Sequence, residues 1–217
     1  MANEKIKCDD LQCTDNKDGF CQREYEEESD RNLRTRMIAI ECKSFFRVFL
    51  DIEKHILPLW EKMRDGTVDE ETIDEHSLYH IPYVVNGAFA AELALKYLLE
   101  NAGIDYAQGN KGHDLEYLFG LLFAKKKTIQ ADREAVIALL CKDGTQNIET
   151  LKQNIAAWHD CYNRHRYFYA QTSVGTNGVF PLFVHTVCEY VISKSKHTKE
   201  KDEEQSEIQL QNPAIPD

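Results

Sequence analysis

PYVVNGAFAAELALKYLLENAG, residues 82–103, is the stretch that decides the fold of this chain. Its leading proline has a fixed φ that suits the first turn of an α-helix. Gly103 at its other end is the residue type favoured just past a helix C-terminus. Gly87, Ala91 and Ala94 form a strip of small residues, which lets a second surface approach closely. The stretch predicts a core helix from its proline to Gly103.

Apolar residues at steps of three and four predict further helices on both sides of this stretch. The predicted helices are Gln22 to about Arg64, the segment opened by GHDLEYLFGLLF at 112–123, 132–141, a helix from Ile148, and 181–194. No segment shows the sustained alternation of a β-strand. The sequence therefore predicts an all-α fold, an up-and-down bundle of five or six helices.

Composition divides the chain into three parts. Residues 1–20 are polar and are predicted to be flexible, 21–195 form the helical domain, and 196–217 are predicted to be a disordered polar tail. The formal net charge is -11. Residues 1–30 contribute ten acidic and four basic side chains to it. No general affinity for nucleic acid is expected of such a chain, although local basic clusters remain.

Cysteine usage and hydropathy indicate a cytoplasmic protein. The seven cysteines include no C-x-x-C pair, and their odd number makes a poor disulfide framework. The N-terminus has no apolar run typical of a signal peptide, and no apolar stretch is long enough for a membrane span. No metal site and no cofactor are predicted.

Two polar clusters are candidate binding sites. Glu92 and Lys96 stand one helical turn apart, in the order that favours an ion pair. His113 and Asp114 follow Gly112 at the predicted start of a helix. Asp114 suits a capping role, and His113 is placed to meet a phosphate bound at that helix end. Each cluster has a structural alternative, an exposed ion pair or a simple helix cap.

The stretch YNRHRYFYA at 162–170 is a third cluster, next to the apolar stripe of the helix that begins at Ile148. At 100° per residue, His159, Asn163 and Arg166 lie within about 60° of one another. The arginine fork suits phosphate, and Tyr162 or Tyr167 is suited to pack on a base. The alternative is that the arginine pairs with a carboxylate and holds the bundle together.

The three clusters, in this order, resemble those of the HEPN domain family over roughly residues 80–195. The matching elements are Glu92/Lys96, His113/Asp114/Leu115 and Tyr162/Arg166/Tyr167. Phe168 stands where the family commonly has proline. The resemblance implies a dimeric helical bundle that binds a nucleotide or a partner nucleotidyltransferase, in toxin–antitoxin or phage-defence systems. In that case Lys96, His113, Arg166, Tyr167, Tyr162 and Asn163 contact the ligand, with Glu92 and Asp114 in support.

Two alternative functions stay open at this point. One branch of the family cleaves RNA with an R-x(4–6)-H motif, which none of the nine arginines here begins. An atypical ribonuclease would have to use His159 or His165 as acid or base. The other alternative is a structural dimerisation bundle, in which the small-residue strip serves either contact between copies or packing within one chain. The leading hypothesis is a non-catalytic binding module.

Overall fold

The computed structural model describes residues 16–17, 20–142, 144, 147–158 and 178–211, with side chains described only from residue 29 to residue 196 within those ranges. Apart from one short β-ladder their architecture is helical, and the predicted helical bundle is confirmed. The six α-helices of these ranges are α1 (Gln22–Arg64), α2 (Glu70–Asn101), α3 (Leu115–Leu121), α4 (Lys127–Leu140), α5 (Ile148–Trp158) and α6 (Val179–Gln211). A 3₁₀ helix, Gly109–His113, precedes α3.

A two-residue β-ladder lies before α1. The strands β1 (Asn16–Lys17) and β2 (Phe20–Cys21) pair antiparallel, with Asn16 opposite Cys21. The sequence predicted no strand here, because four residues are too few to show an alternating pattern.

Helix α2 begins twelve residues before the predicted start at Pro82. Asp69 caps it, since its carboxylate accepts the backbone N–H of Thr72 at 2.8 Å. Pro82 lies inside the helix, where its ring removes one backbone hydrogen bond. The amide of Asn86 donates to the Pro82 carbonyl at 2.7 Å. The prediction of a start at Pro82 was wrong because an interior proline can be tolerated where capping and packing favour the helix on both sides.

Two other helices extend past their predicted ends. Helix α4 begins at Lys127 rather than at residue 132. Helix α6 continues to Gln211, whereas the sequence predicted that the helical domain ends at 195 and a disordered tail follows. No glycine or proline interrupts residues 182–212, and the segment is rich in lysine, glutamate and glutamine, which are good helix formers.

The chain forms two compact units. One comprises the described residues up to 37 and from 193 onward, and the other comprises the described residues between 38 and 192. The larger unit contains most of the buried side chains, and α2 is its central helix. From Ala88 to Leu99 almost every side chain of α2 is buried, which is the pattern of a helix covered on all sides.

Aromatic side chains join the helices of the larger unit around α2. Phe49 of α1 stacks on Tyr83 of α2 at 4.5 Å between ring centroids. Trp158 of α5 contacts Phe180 and Phe183 of α6, at 5.4 and 6.2 Å. These pairs have the edge-on, tilted or stacked geometries that favour aromatic contacts, so they add to the burial energy of the core.

The strip of small residues on α2 packs within the chain. Gly87, Ala91 and Ala94 are all buried. A Cβ atom at Gly87 would lie 2.8 Å from the Phe49 ring and 3.1 Å from the Phe180 ring. The strip is therefore where α1 and α6 approach α2, and it offers no surface to a second copy of the chain.

Candidate functional site

Two of the predicted clusters converge on one buried carboxylate. Glu92 of α2 is 0 % exposed. Its Oε1 accepts a hydrogen bond from the Lys96 ammonium at 2.7 Å and lies 2.9 Å from Nδ1 of His113. The helical spacing of four residues brings Lys96 over Glu92, and the loop after α2 returns His113 to the same oxygen. We call these three residues the Glu92 cluster.

The two basic partners of Glu92 reach toward the surface. The Lys96 side chain is 15 % exposed and the His113 side chain 34 %, against 1 % for Glu92. The Glu92 carboxylate accepts one of the three N–H groups of the Lys96 ammonium and contacts one of the two ring nitrogens of His113. The cluster is therefore a buried acceptor that holds two basic groups at a partly exposed edge of the bundle.

The second oxygen of this carboxylate is buried and accepts no hydrogen bond within the described part of the chain. Buried polar atoms are rarely left in this state, because an unpaired acceptor in the interior costs about 1–3 kcal/mol. Violations of this kind are typical of functional sites, where stability is lost to hold a group in place.

The turn before α3 positions His113. Asp114 caps α3, since its carboxylate accepts the backbone N–H of Tyr117 at 2.9 Å. The Tyr117 hydroxyl in turn accepts the backbone N–H of Ala107 at 3.1 Å. The capping role predicted for Asp114 is thus the one that it has, and it fixes the backbone next to His113.

Gly112 belongs to the same turn and is buried, at a point where the backbone passes close to the Ala107 carbonyl. A Cβ atom there would lie 2.4 Å from the carbonyl oxygen of Ala107, and that oxygen belongs to the backbone, so it cannot rotate away. Position 112 therefore requires glycine for reasons of space.

We expect Gly112→Ala to lower the free energy of unfolding by about 2 kcal/mol, because the added methyl group overlaps a backbone oxygen and the turn must move. Urea unfolding of the variant measures this loss. Gly66→Ala is a less suitable control, because Gly66 has φ of +75° and strain would be added there. Gly120→Ala, where a Cβ inside α3 would meet nothing within 4 Å, is the matched control and should not lower the free energy of unfolding.

The structure adds two residues that sequence reasoning missed. The Tyr106 hydroxyl donates to Glu100 Oε1 at 3.1 Å, and the Lys96 ammonium lies 5.6 Å from the centroid of the Tyr106 ring. That distance is within the range of a cation–π contact. Tyr106 lies in the loop IDYAQGNKG, which has no helical pattern. Glu100, eight residues after Glu92 on α2, could have been linked to the same region by its helical spacing.

The third predicted cluster lies outside the described residues. This applies to the binding residues Tyr162, Asn163, Arg166 and Tyr167 and to the two histidines His159 and His165. Their roles stay predictions. Of the predicted site residues, the structure brings together Glu92, Lys96 and His113, with Asp114 beside them.

The described part of the chain contains no ready metal site. No group of three or more histidine, cysteine, aspartate or glutamate side chains there is arranged to hold an ion. Cys42, Cys141 and Cys188 are free thiols.

Among the described residues, no helix is both long enough and apolar enough to cross a bilayer.

Comparisons with known proteins identify no relative. No family model matches the chain, and neither does any curated protein or solved structure.

Proposed function

We propose that this chain is a non-catalytic, HEPN-like helical module that binds a nucleotide, or a partner nucleotidyltransferase, through the Glu92 cluster. The observation that carries the proposal is the convergence of Lys96 and His113 on one buried carboxylate, at 2.7 and 2.9 Å. Both basic groups are held at a partly exposed edge, as recognition of a phosphate requires.

Charge and burial support a small anionic ligand rather than a long nucleic acid. The chain carries a formal net charge of -11, which repels a polyanion over the range of a Debye length. A phosphate in contact with Lys96 feels mainly the local field, because partly buried charges are screened less by salt and water. Glu92 lowers the net charge of the cluster, and its main contribution is to orient the two donors.

An aromatic ring stands beside the proposed phosphate site. Tyr106 is partly buried and contacts Lys96 through its ring. Aromatic faces beside a cation are a common platform for nucleobases. In the proposed complex Lys96 and His113 hold phosphate, Tyr106 packs against the base, and Arg166 with Tyr162 or Tyr167 completes the site as the sequence resemblance implies.

A purely structural role is the competing interpretation. It is favoured by the same ion pair, since Lys96 and His113 already have a partner in Glu92. The two interpretations predict different results for a variant in which residue 96 loses its charge but keeps its length. If Lys96 binds the ligand, this variant loses affinity for it. If Lys96 has only a structural role, the variant loses stability and its affinity for ligand does not change.

Calorimetric titration with ATP, GTP, AMP and a short RNA tests the proposal. We expect the wild type to bind a nucleotide with a Kd in the micromolar range and Lys96→Met to weaken it at least about tenfold, which corresponds to ~1.4 kcal/mol for one lost charge-assisted hydrogen bond. Lys152→Met is the matched control: its ammonium also pairs with a glutamate, Glu149 at 3.2 Å, and lies over an aromatic ring. No heat with any ligand, or equal affinity in a folded Lys96→Met, contradicts the proposal.

A further inference from the structure

A tryptophan and a histidine join α1 to α2 near the start of α2. The indole Nε1 of Trp60 lies 3.1 Å from Nε2 of His76, and the contact is partly buried. An indole N–H can only donate. Nε2 of His76 must therefore be the acceptor, which requires that this nitrogen carries no proton. The geometry thus specifies a neutral imidazole with its proton on Nδ1.

The groups around His76 do not favour a positive charge. Trp60 faces it from α1, and on its own helix His80 stacks on it one turn later, with 5.0 Å between ring centroids and 24° between ring planes. Within the described part of the chain, these are the hydrogen-bond and ring contacts that the structure gives His76. Burial lowers the pKa of His76 below its usual value, because removal from water disfavours the charged form.

The contact is connected to the rest of the core through Trp60. Its ring packs edge-on against Tyr83 of α2 at 5.4 Å. The Tyr83 hydroxyl donates to Glu53 Oε1 at 2.9 Å, and Glu53 Oε2 lies 2.8 Å from Nε2 of His185 on α6. Trp60 is therefore fixed from one side by buried aromatic packing, so that His76 is the member of the pair able to move away.

We infer that Trp60, His76 and His80 form an acid-sensitive latch that closes the first turns of α2 onto the end of α1. Protonation of His76 puts an N–H at Nε2, directly opposite the indole N–H. Two donors then face each other at hydrogen-bond distance, and the partly buried hydrogen bond is replaced by repulsion.

The expected direction of the pH effect follows from linkage. A histidine whose pKa is lower in the folded state stabilises the fold fully above the unfolded value of about 6.5. That contribution is lost as the pH falls below this value and through the lower folded-state pKa, since the unfolded chain then binds more protons. The latch is closed at neutral pH and opens in acid. The buried half of α2, from Ala88 onward, keeps its packing.

The tautomer of His76 is the direct test. Long-range ¹H–¹⁵N correlation spectra of the full-length protein at pH 7.5 distinguish the two neutral forms. The proton is expected on Nδ1, with the Trp60 indole resonance shifting as His76 titrates. A proton on Nε2 would overturn the inference, because the indole would then have no acceptor.

Urea unfolding from pH 7.5 to pH 5.0 tests the energetic consequence. His76→Gln keeps an acceptor oxygen near the position of Nε2 but cannot be protonated in this range. We expect the unfolding midpoint to fall with pH in the wild type and to fall less in His76→Gln. The matched control is His55→Gln, since His55 stacks on Tyr79 at 5.0 Å but is exposed. This control should show the same pH dependence as the wild type.

A third variant, Trp60→Phe, allows the inference to be tested even if His76→Gln does not fold. Trp60→Phe keeps an aromatic ring but removes the indole donor, so protonation of His76 no longer breaks a hydrogen bond. Its unfolding midpoint should also depend less on pH than that of the wild type. If His76→Gln and Trp60→Phe both fold and have the same pH profile as the wild type, the latch is refuted.

Discussion

Replacing Glu92 by alanine is expected to lower the free energy of unfolding by about 3 kcal/mol, near the low end of the cost of breaking a buried ion pair by removing one partner. The reason is that Lys96 and His113 would be left beside a small cavity without the carboxylate oxygen that both contact. Both side chains are partly exposed, so water recovers part of the loss. Urea unfolding at pH 7 measures the change.

The matched control is a surface pair of the same kind. Glu149 and Lys152 are 3.2 Å apart, one helical turn from each other, with side chains 74 % and 45 % exposed. Glu149→Ala should cost less than about 1 kcal/mol, because exposed ion pairs contribute little. Equal losses in the two variants would mean that Glu92 is no more coupled to its surroundings than a surface residue.

A double replacement separates stability from function. In Glu92→Leu combined with Lys96→Met, a buried ion pair is exchanged for apolar side chains of similar size. Such exchanges are often neutral or stabilising. A folded double variant of near wild-type stability that no longer binds nucleotide would assign the Glu92 cluster to recognition. Retained binding would assign recognition to another surface.

Gly87→Ala is expected to lower the free energy of unfolding by about 2–3 kcal/mol, the usual cost of overpacking a core. The new methyl group would stand 2.8 Å from two atoms of the Phe49 ring and 3.1 Å from the Phe180 ring. Both rings are 0 % exposed. Phe49 is also held by its stacking on Tyr83, so neither ring can turn away freely. Thermal or urea unfolding gives the loss directly.

The same substitution at Gly120 is expected to change the free energy of unfolding in the opposite direction. It lies within α3, and a Cβ there would meet nothing within 4 Å. Gly120→Ala should raise the free energy of unfolding by about 0.5–1 kcal/mol, because alanine has the higher helix propensity. If Gly87→Ala were also neutral or stabilising, α1 and α6 could not approach α2 as closely as the Gly87 contacts require.

The helical character of the chain could be predicted because it follows from the local spacing of apolar residues. Apolar residues at steps of three and four identified the span of α1, and the start of α5 at Ile148 was placed correctly. Helix ends were harder. The start of α2 depends on the side chain of Asp69, and an interior proline such as Pro82 has the same local signal as a first-turn proline.

Part of the candidate site was also visible in the sequence. The spacing of Glu92 and Lys96 predicted their pairing, and the position of Asp114 predicted a helix cap, because both are contacts within one or two turns of the chain. The sequence did not indicate that His113 would share the same carboxylate oxygen. That contact joins residues 21 positions apart, and it depends on how the loop after α2 folds back.

The sequence by itself determined that this protein is a helical bundle with a buried central helix, and which residues of α2 carry charge. Only the tertiary structure decided that Glu92 is buried, that two basic groups meet on it, and that the small-residue strip is used within the chain. It also decided that Trp60 donates to His76. Local spacing fixes contacts along a helix, whereas burial and pairing between helices depend on how the whole core packs.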